Sequence, residues 1–188
     1  MKMNKKGFTL IEILAVIIIL GIVATIGIAA ITRNIDKLRK SSFVNIARNY
    51  VESARAMRTE DKLPIDISNG RILVMPFSSI TGVQLENADE TPYGDLDMDY
   101  CYIIVYNKDN KNYSYYVTMK DTSNHGINMV EVNDLQEKSV ILDENNEIKN
   151  IESLTYIEID GVNFSISYNG IQRDENNKIK YVEMELPR

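Results

Sequence analysis

One cysteine, Cys101, and one histidine, His125, are all the chain has of the residues that dominate metal and redox sites. No disulfide can close within one copy, and single residues of each kind cannot build a Cys/His zinc cluster. No Ser/His/Asp or Cys/His arrangement and no phosphate-binding glycine loop appears either. The expectation is a protein that is not an enzyme and needs no cofactor. Cys101, in the run Tyr-Cys-Tyr-Ile-Ile-Val-Tyr, reads as a small buried hydrophobe on a strand. His125, in Ser-Asn-His-Gly, reads as an exposed turn residue.

Positive charge is scarce where a nucleic-acid surface would need it. Residues 1–62 carry 11 Lys/Arg against 5 Asp/Glu, whereas residues 63–188 carry 10 against 22, so the net charges are +6 and −12. An acidic body of that size argues against nucleic acid as its partner. At 188 residues the chain has room for one domain with a sizeable core.

Charge is missing altogether from residues 13–31, ILAVIIILGIVATIGIAAI. As a helix these 19 residues would cover roughly 28 Å, the hydrocarbon thickness of a bilayer. A secretory signal fits poorly. The basic residues Lys2, Lys5 and Lys6 suit one, but the apolar run is too long and Thr32-Arg33-Asn34 follows it in place of a small-residue cleavage site. A plain membrane anchor is the simpler reading, and two features oppose it. Glu12 lies inside the apolar run, where a carboxylate is costly and functional by default. Basic residues also flank both ends, with Arg33, Lys37, Arg39 and Lys40 facing the N-terminal lysines, so charge sets no orientation.

The segment Lys5-Lys6-Gly7-Phe8-Thr9-Leu10-Ile11-Glu12 resembles the class III leader junction of type IV prepilins and type II secretion pseudopilins. The likeness is close over residues 5–36 and architectural beyond them. It implies cleavage between Gly7 and Phe8 by a membrane prepilin peptidase and N-methylation of the new amine on Phe8. It also implies a leader kept in the cytoplasm, a single-pass precursor in the cytoplasmic membrane, and a mature form in an extracellular pilus. Glu12 becomes the assembly residue, pairing with the methylated amine of a neighbouring subunit. The implied partners are identical or related pilin subunits, the peptidase, the assembly platform and the membrane. Many family members carry a proline in mid-helix; this chain has only Gly21 and Gly27 there.

The domain plan is a leader at 1–7, a transmembrane and filament-core helix at 8–31, and its amphipathic continuation at 32–62. An irregular loop at 63–99 and an antiparallel sheet at 100–188 complete it. No Pro or Gly interrupts residues 29–62, and Leu63-Pro64 marks the stop. Ile35, Leu38, Ser42, Ile46, Tyr50, Ser53 and Met57 form the expected core stripe, with Phe43 at its edge. Arg33, Lys37, Lys40, Arg48, Arg55 and Arg58, with Val44, Ala47 and Val51 among them, form the expected basic face, either solvated or packed on a neighbour. After Pro64 the period becomes two. Residues 72–75 suggest a short strand, 100–106 and 113–119 a hairpin, and 133–142 a helical turn followed by a strand. Residues 155–159 and 162–168 alternate across Asp160-Gly161, a strong hairpin signal, and 179–186 alternate again. The peptide Asp-Glu-Asn-Asn-x-Ile-Lys occurs at 143–149 and 174–180, each copy reading as a turn plus strand start. The fold class is α+β, a long N-terminal helix on an antiparallel sheet, which the resemblance sharpens to the pilin fold.

Asp95, Asp97 and Asp99 resemble the start of a calcium loop, but Tyr100 stands where the sharp turn needs Gly and Tyr106 where Glu should close the shell. A solvated acidic loop is the simpler reading. Three functions stay open: a pilin, major or minor; a pseudopilin of a secretion or DNA-uptake system; and a single-pass membrane protein with a ligand-binding head.

Overall fold

A proline-free stretch forms α1 (Leu10–Thr59), and its end is set by backbone geometry before Pro64 is reached. Asp61 takes a left-handed conformation (φ 53°). The Lys62 amide then returns to the Met57 carbonyl at 2.8 Å, and the Asp61 amide to that of Arg58 at 3.2 Å. This paired closure is a Schellman cap, with aspartate in the place glycine usually takes. The computed structural model describes residues 9–67, 70–85, 87–109 and 111–186, and within them every side chain except those of residues 26, 27, 29 and 30. The chain divides into two units, Met1–Leu38 and Arg39–Arg188.

In the second unit an eight-stranded antiparallel sheet is built from β1 (Arg71–Pro76), β2 (Tyr102–Asn107), β3 (Tyr113–Lys120), β4 (His125–Glu131), β5 (Ile141–Leu142), β6 (Tyr156–Ile159), β7 (Val162–Arg173) and β8 (Ile179–Glu185), in the order β5-β4-β3-β2-β1-β8-β7-β6. The short strand expected at residues 72–75 forms as β1, and it is central to the sheet although the rest of 63–99 was expected to be an irregular loop. Its run Ile-Leu-Val-Met is buried on both faces, the pattern of an interior strand. The 100–106/113–119 hairpin forms as β2 and β3, and Asp160-Gly161 turns β6 into β7 with φ values of 52° and 77°.

Two cores lie on opposite faces of the central strands. One gathers Leu73, Met75, Ile103, Val105, Val117 and Met119 against the helix residues Phe43, Ala47, Tyr50, Val51 and Ala54. Tyr50 stacks on Phe77 with ring centres 3.8 Å apart. The other gathers Ile72, Val74, Tyr102 and Ile104 with Leu154, Ile157, Ile159 and Phe164. Tyr106 of β2 and Phe164 of β7 have centroids 5.3 Å apart. Three strand spacings would separate β2 from β7 by roughly 14 Å in a flat sheet. The sheet must therefore curl, so that its β7–β6 end covers the face that α1 leaves bare.

The helix buries a wider stripe than expected, and one that starts later: Ile46, Tyr50, Ser53 and Met57 of the expected stripe are buried, as is Phe43 at its edge. Val44, Ala47 and Val51, assigned to the basic face, are core, while Ile35 and Leu38 are 45% and 69% exposed. Arginines do not mark a wholly wet face here, because their stems cover apolar surface and their heads reach polar groups. Arg58 donates from Nε to the Tyr115 hydroxyl at 2.9 Å and lies 4.4 Å over the Tyr113 ring. Arg55 lies 5.0 Å over the Tyr115 ring, and Arg48 donates to the Leu135 carbonyl.

Both copies of the repeated heptapeptide turn through a left-handed Asn, at Asn146 (φ 54°) and Asn177 (φ 62°), and both bury their Ile. The second copy starts β8; the first leads instead to the 3-10 turn Ile151–Ser153, so the strand expected there is absent. Ile148 of the first copy lies against Gly126 of β4. A Cβ at Gly126 would overlap Ile148 Cδ1 and stand 2.7 Å from the Met119 carbonyl oxygen. A backbone oxygen cannot step aside. Gly126→Ala is expected to cost about 1–3 kcal/mol, read as a lowered thermal midpoint of the full chain in detergent.

Candidate functional site

The described structure begins where the leader resemblance is strongest. Gly7 and Phe8, the cleavage and methylation residues of that resemblance, lie outside the described residues. Thr9 and Glu12 lie within them and make a reciprocal cap. The Thr9 amide donates to Glu12 Oε2 at 2.7 Å, the Thr9 hydroxyl donates to the same oxygen at 2.8 Å, and the Glu12 amide donates to Thr9 Oγ1 at 3.3 Å. This is a capping box, in which Thr at the N-cap and Glu three residues later satisfy the first free amides of a helix. The same carboxylate faces the N-terminal end of the helix dipole, which favours negative charge. Glu12, expected to pair with a neighbour's amine, has in Thr9 a partner within its own chain. The Thr-x-x-Glu spacing was the signal for it.

From the cap onward every described side chain through Arg39 is exposed, including Ile13, Ile17, Leu20, Ile22 and Val23. The hydroxyls on this stretch are satisfied by the helix itself. Thr25 donates to the Gly21 carbonyl and Thr32 to that of Ile28, each at 2.9 Å. Among the described residues no helix is long and apolar enough to cross a membrane. The 19-residue uncharged run includes residues 26, 27, 29 and 30, whose side chains are not described, so the described apolar stretch stops at Thr25.

Residues 2–28 match the family described as the prokaryotic N-terminal methylation motif. The chain carries a class III pilin-type leader. That motif is common to type IV pilin-like and pseudopilin precursors, and it implies processing by prepilin peptidase followed by polymerisation. It covers Gly7, Phe8, Thr9 and Glu12 together with most of the apolar run. No curated protein and no solved structure matches the chain.

The remaining candidates are spread over the second unit. Asp95, Asp97 and Asp99 lead into the 3-10 turn Met98–Tyr100 with Leu96 buried between them. Among the described residues no group of three or more His, Cys, Asp or Glu side chains is placed to hold a metal ion. Cys101 is fully buried just before β2 rather than on a strand, and burial pushes its thiol up to about 12. His125 opens β4 and is not an exposed turn residue. Its ring stacks on Tyr93 with centres 3.8 Å apart, and its amide donates at 2.9 Å to buried Asp121. Asp121 also accepts from the Ser123 amide and the Thr91 hydroxyl, at 2.8 and 3.1 Å. One buried carboxylate thus ties the β1–β2 connection to the β3–β4 turn.

Proposed function

We propose that this chain is the precursor of a type IV pilin, major or minor, and acts as a structural subunit with no catalytic role and no cofactor. The observation that carries the proposal is the match of residues 2–28 to the methylation motif. On this reading prepilin peptidase cuts between Gly7 and Phe8 and methylates the Phe8 amine. Residues 8–31 cross the cytoplasmic membrane once with the leader inside, and then form the core of an extracellular fibre. The second unit supplies the fibre surface in a pilin-like head of helix and curled sheet.

Two structural features support it. The apolar stretch leaves no described polar side chain without an internal partner, as a lipid or fibre interior requires. Glu12 stands at a helix start with its carboxylate fixed toward the amino end, where a neighbour's amine can approach. The partners are then copies of this chain or related subunits, the peptidase and the assembly platform.

Mass spectrometry of the mature N-terminus tests the processing step. The expected product is a chain that begins at Phe8 and carries one extra methyl group. A chain that keeps residues 1–7 in cells with an active peptidase is instead a plain anchor bearing a ligand-binding head. The pseudopilin reading shares the same motif and predicts the same processed N-terminus. Immunogold labelling of intact cells divides the two, with label along external fibres for a pilin and none for a pseudopilin held inside the envelope.

A further inference from the structure

The sheet curls without closing, and strand edges border the gap it leaves. β6 is the last strand and pairs with β7 alone. Across the two-residue turn Asp160-Gly161, Ile159 and Ile157 exchange hydrogen bonds with β7, so the N–H and C=O groups of Tyr156 and Glu158 point to the open side. β4 is open too along part of its length. β5 pairs only with His125 and Gly126, which leaves the rest of β4 paired, among the described strands, with β3 alone. A cleft of about 260 Å³ is lined from both edges, by Asn128 and Met129 of β4 and by Tyr156, Ile157 and Glu158 of β6. Ile157 belongs to the buried face of β6 and its two neighbours to the exposed one, so the cleft lies against the edge itself.

One wall of the cleft is held in a strained shape. Among the described non-glycine residues with positive φ, Met129 (φ 47°) is the one that is neither Asn nor Asp. The strain belongs to a bulge. Val117 pairs with Val130 and Met119 with Ile127, so Thr118 faces both Asn128 and Met129, and its hydroxyl accepts from the Met129 amide at 3.2 Å. In an unbroken strand Ile127 and Met129 would share a face. Here Ile127 joins the core under α1, whereas Met129 packs against the second core beside the cleft. Tyr102 and Leu154 give the cleft an apolar floor, and its rim is charged. Glu147 and Glu158 on that rim are exposed, and neither has an ion-pair partner among the described residues. Lys149, the one cation lining the cleft, has its ammonium 5.0 Å over the ring of Tyr156, a residue 51% exposed.

Open edges, an apolar floor and spare carboxylates together specify one kind of occupant. A row of unpaired N–H and C=O groups is matched by another extended backbone. Alternate side chains of such a strand turn inward to Met129 and Leu154, and those between turn outward to Glu147 and Glu158. The acidic body of another copy suits this rim poorly, since residues 63–188 carry a net charge of −12. We propose that the β4–β6 cleft binds an extended segment of a partner polypeptide, apolar at alternate residues and basic at those between, which adds to the edge of β6 as a further strand. The site lies wholly in the second unit, and its occupancy does not depend on filament assembly.

The full chain in nonionic detergent is titrated with the fluorescein-labelled peptide Lys-Val-Lys-Val-Lys-Val and followed by anisotropy. Amide exchange is read residue by residue with and without saturating peptide. Binding is expected, with exchange of the Tyr156 and Glu158 amides slowed at least about tenfold and that of Ile157, already bonded to β7, unchanged. Glu158→Lys is expected to weaken binding at least about tenfold and to leave the thermal midpoint where it was, since Glu158 is exposed. Absence of binding overturns the proposal. So does equal binding of Glu-Val-Glu-Val-Glu-Val, which removes the charge match, or of the basic peptide methylated at every backbone nitrogen, which removes the ladder. Protection confined to other strands, or undiminished binding by Glu158→Lys, places the peptide elsewhere and overturns it as well.

Discussion

Glu12→Ala is expected to leave the chain inserted in the membrane and to reduce filaments to background. Insertion depends on the uncharged run of residues 13–31, which the substitution does not touch. Loss of the cap is small beside the burial of an apolar stretch of that length. Assembly is different. If a neighbour's methylated Phe8 amine docks beside Glu12, removing the carboxylate leaves a cation without its anion in apolar surroundings. Breaking one partner of a buried pair costs about 3–5 kcal/mol. That is a hundredfold or more in the docking equilibrium. Glu12→Gln separates the two roles of the residue. Glutamine still accepts from Thr9 in a capping box, but it carries no charge. If Glu12 acts only as a cap, Gln assembles normally; if it acts as the counter-ion, Gln fails as Ala does. Carbonate extraction reads insertion, and sheared filament yield reads assembly. Normal fibres from both variants would remove Glu12 from the mechanism.

The leader, the helix and most hairpins were legible because each is a local signal. Thr9 and Glu12 are three residues apart, Asp160-Gly161 dictates its own turn, and β2 and β3 alternate or run apolar over short distances. What was not legible depends on partners far away in the chain. β1 sits between β2 and β8; its unbroken apolar run suits a strand covered on both faces, but nothing within residues 71–76 names those two neighbours. The second core exists only because the sheet curls far enough to bring Phe164 to Tyr106. The burial of Val44, Ala47 and Val51 beside the expected stripe was missed because Arg55 and Arg58 of that face find Tyr115 and Tyr113 far along the chain, a contact no periodicity contains. His125 reads as a turn residue from its neighbours Ser123 and Asn124. It becomes part of β4 because Asp121 holds its amide and Tyr93 covers its ring. The bulge at Tyr168 is another such feature, since it shows only in the β7–β8 register.

The largest effect on the head itself is expected from Asp143→Asn. Asp143 Oδ2 accepts from Lys120 Nζ at 2.8 Å, and the two side chains are 1% and 6% exposed. Its Oδ1 accepts the Glu147 amide at 2.7 Å and that of Ile148 at 3.4 Å, so the carboxylate joins β3 to the loop after β5. Asparagine keeps an acceptor for the amides but leaves the Lys120 ammonium buried without its anion, 5.0 Å from the Tyr100 ring. The cost is about 3–5 kcal/mol, against a typical domain stability of about 5–15 kcal/mol. For a unit of this size the thermal midpoint of the full chain in detergent should fall by roughly 10 °C or more. The double variant Lys120→Met/Asp143→Asn should recover much of that loss, since it removes the unpaired ammonium while asparagine keeps an acceptor for the Glu147 and Ile148 amides. Acid should act on the same pair. Burial alone would raise the Asp143 carboxyl, but the Lys120 ammonium and the two backbone amides outweigh it and hold the group below its usual range. A carboxyl lowered on folding binds protons more readily in the unfolded chain, so its contribution is complete above about pH 4 and is lost as pH falls through the folded value. Melting curves between pH 7 and pH 2 should therefore show an acid limb in the native chain that is shallower in the double variant. An equally steep limb in both would assign the acid sensitivity to other carboxylates, and an unchanged midpoint for Asp143→Asn would show that Lys120 finds water or another anion when Asp143 is lost.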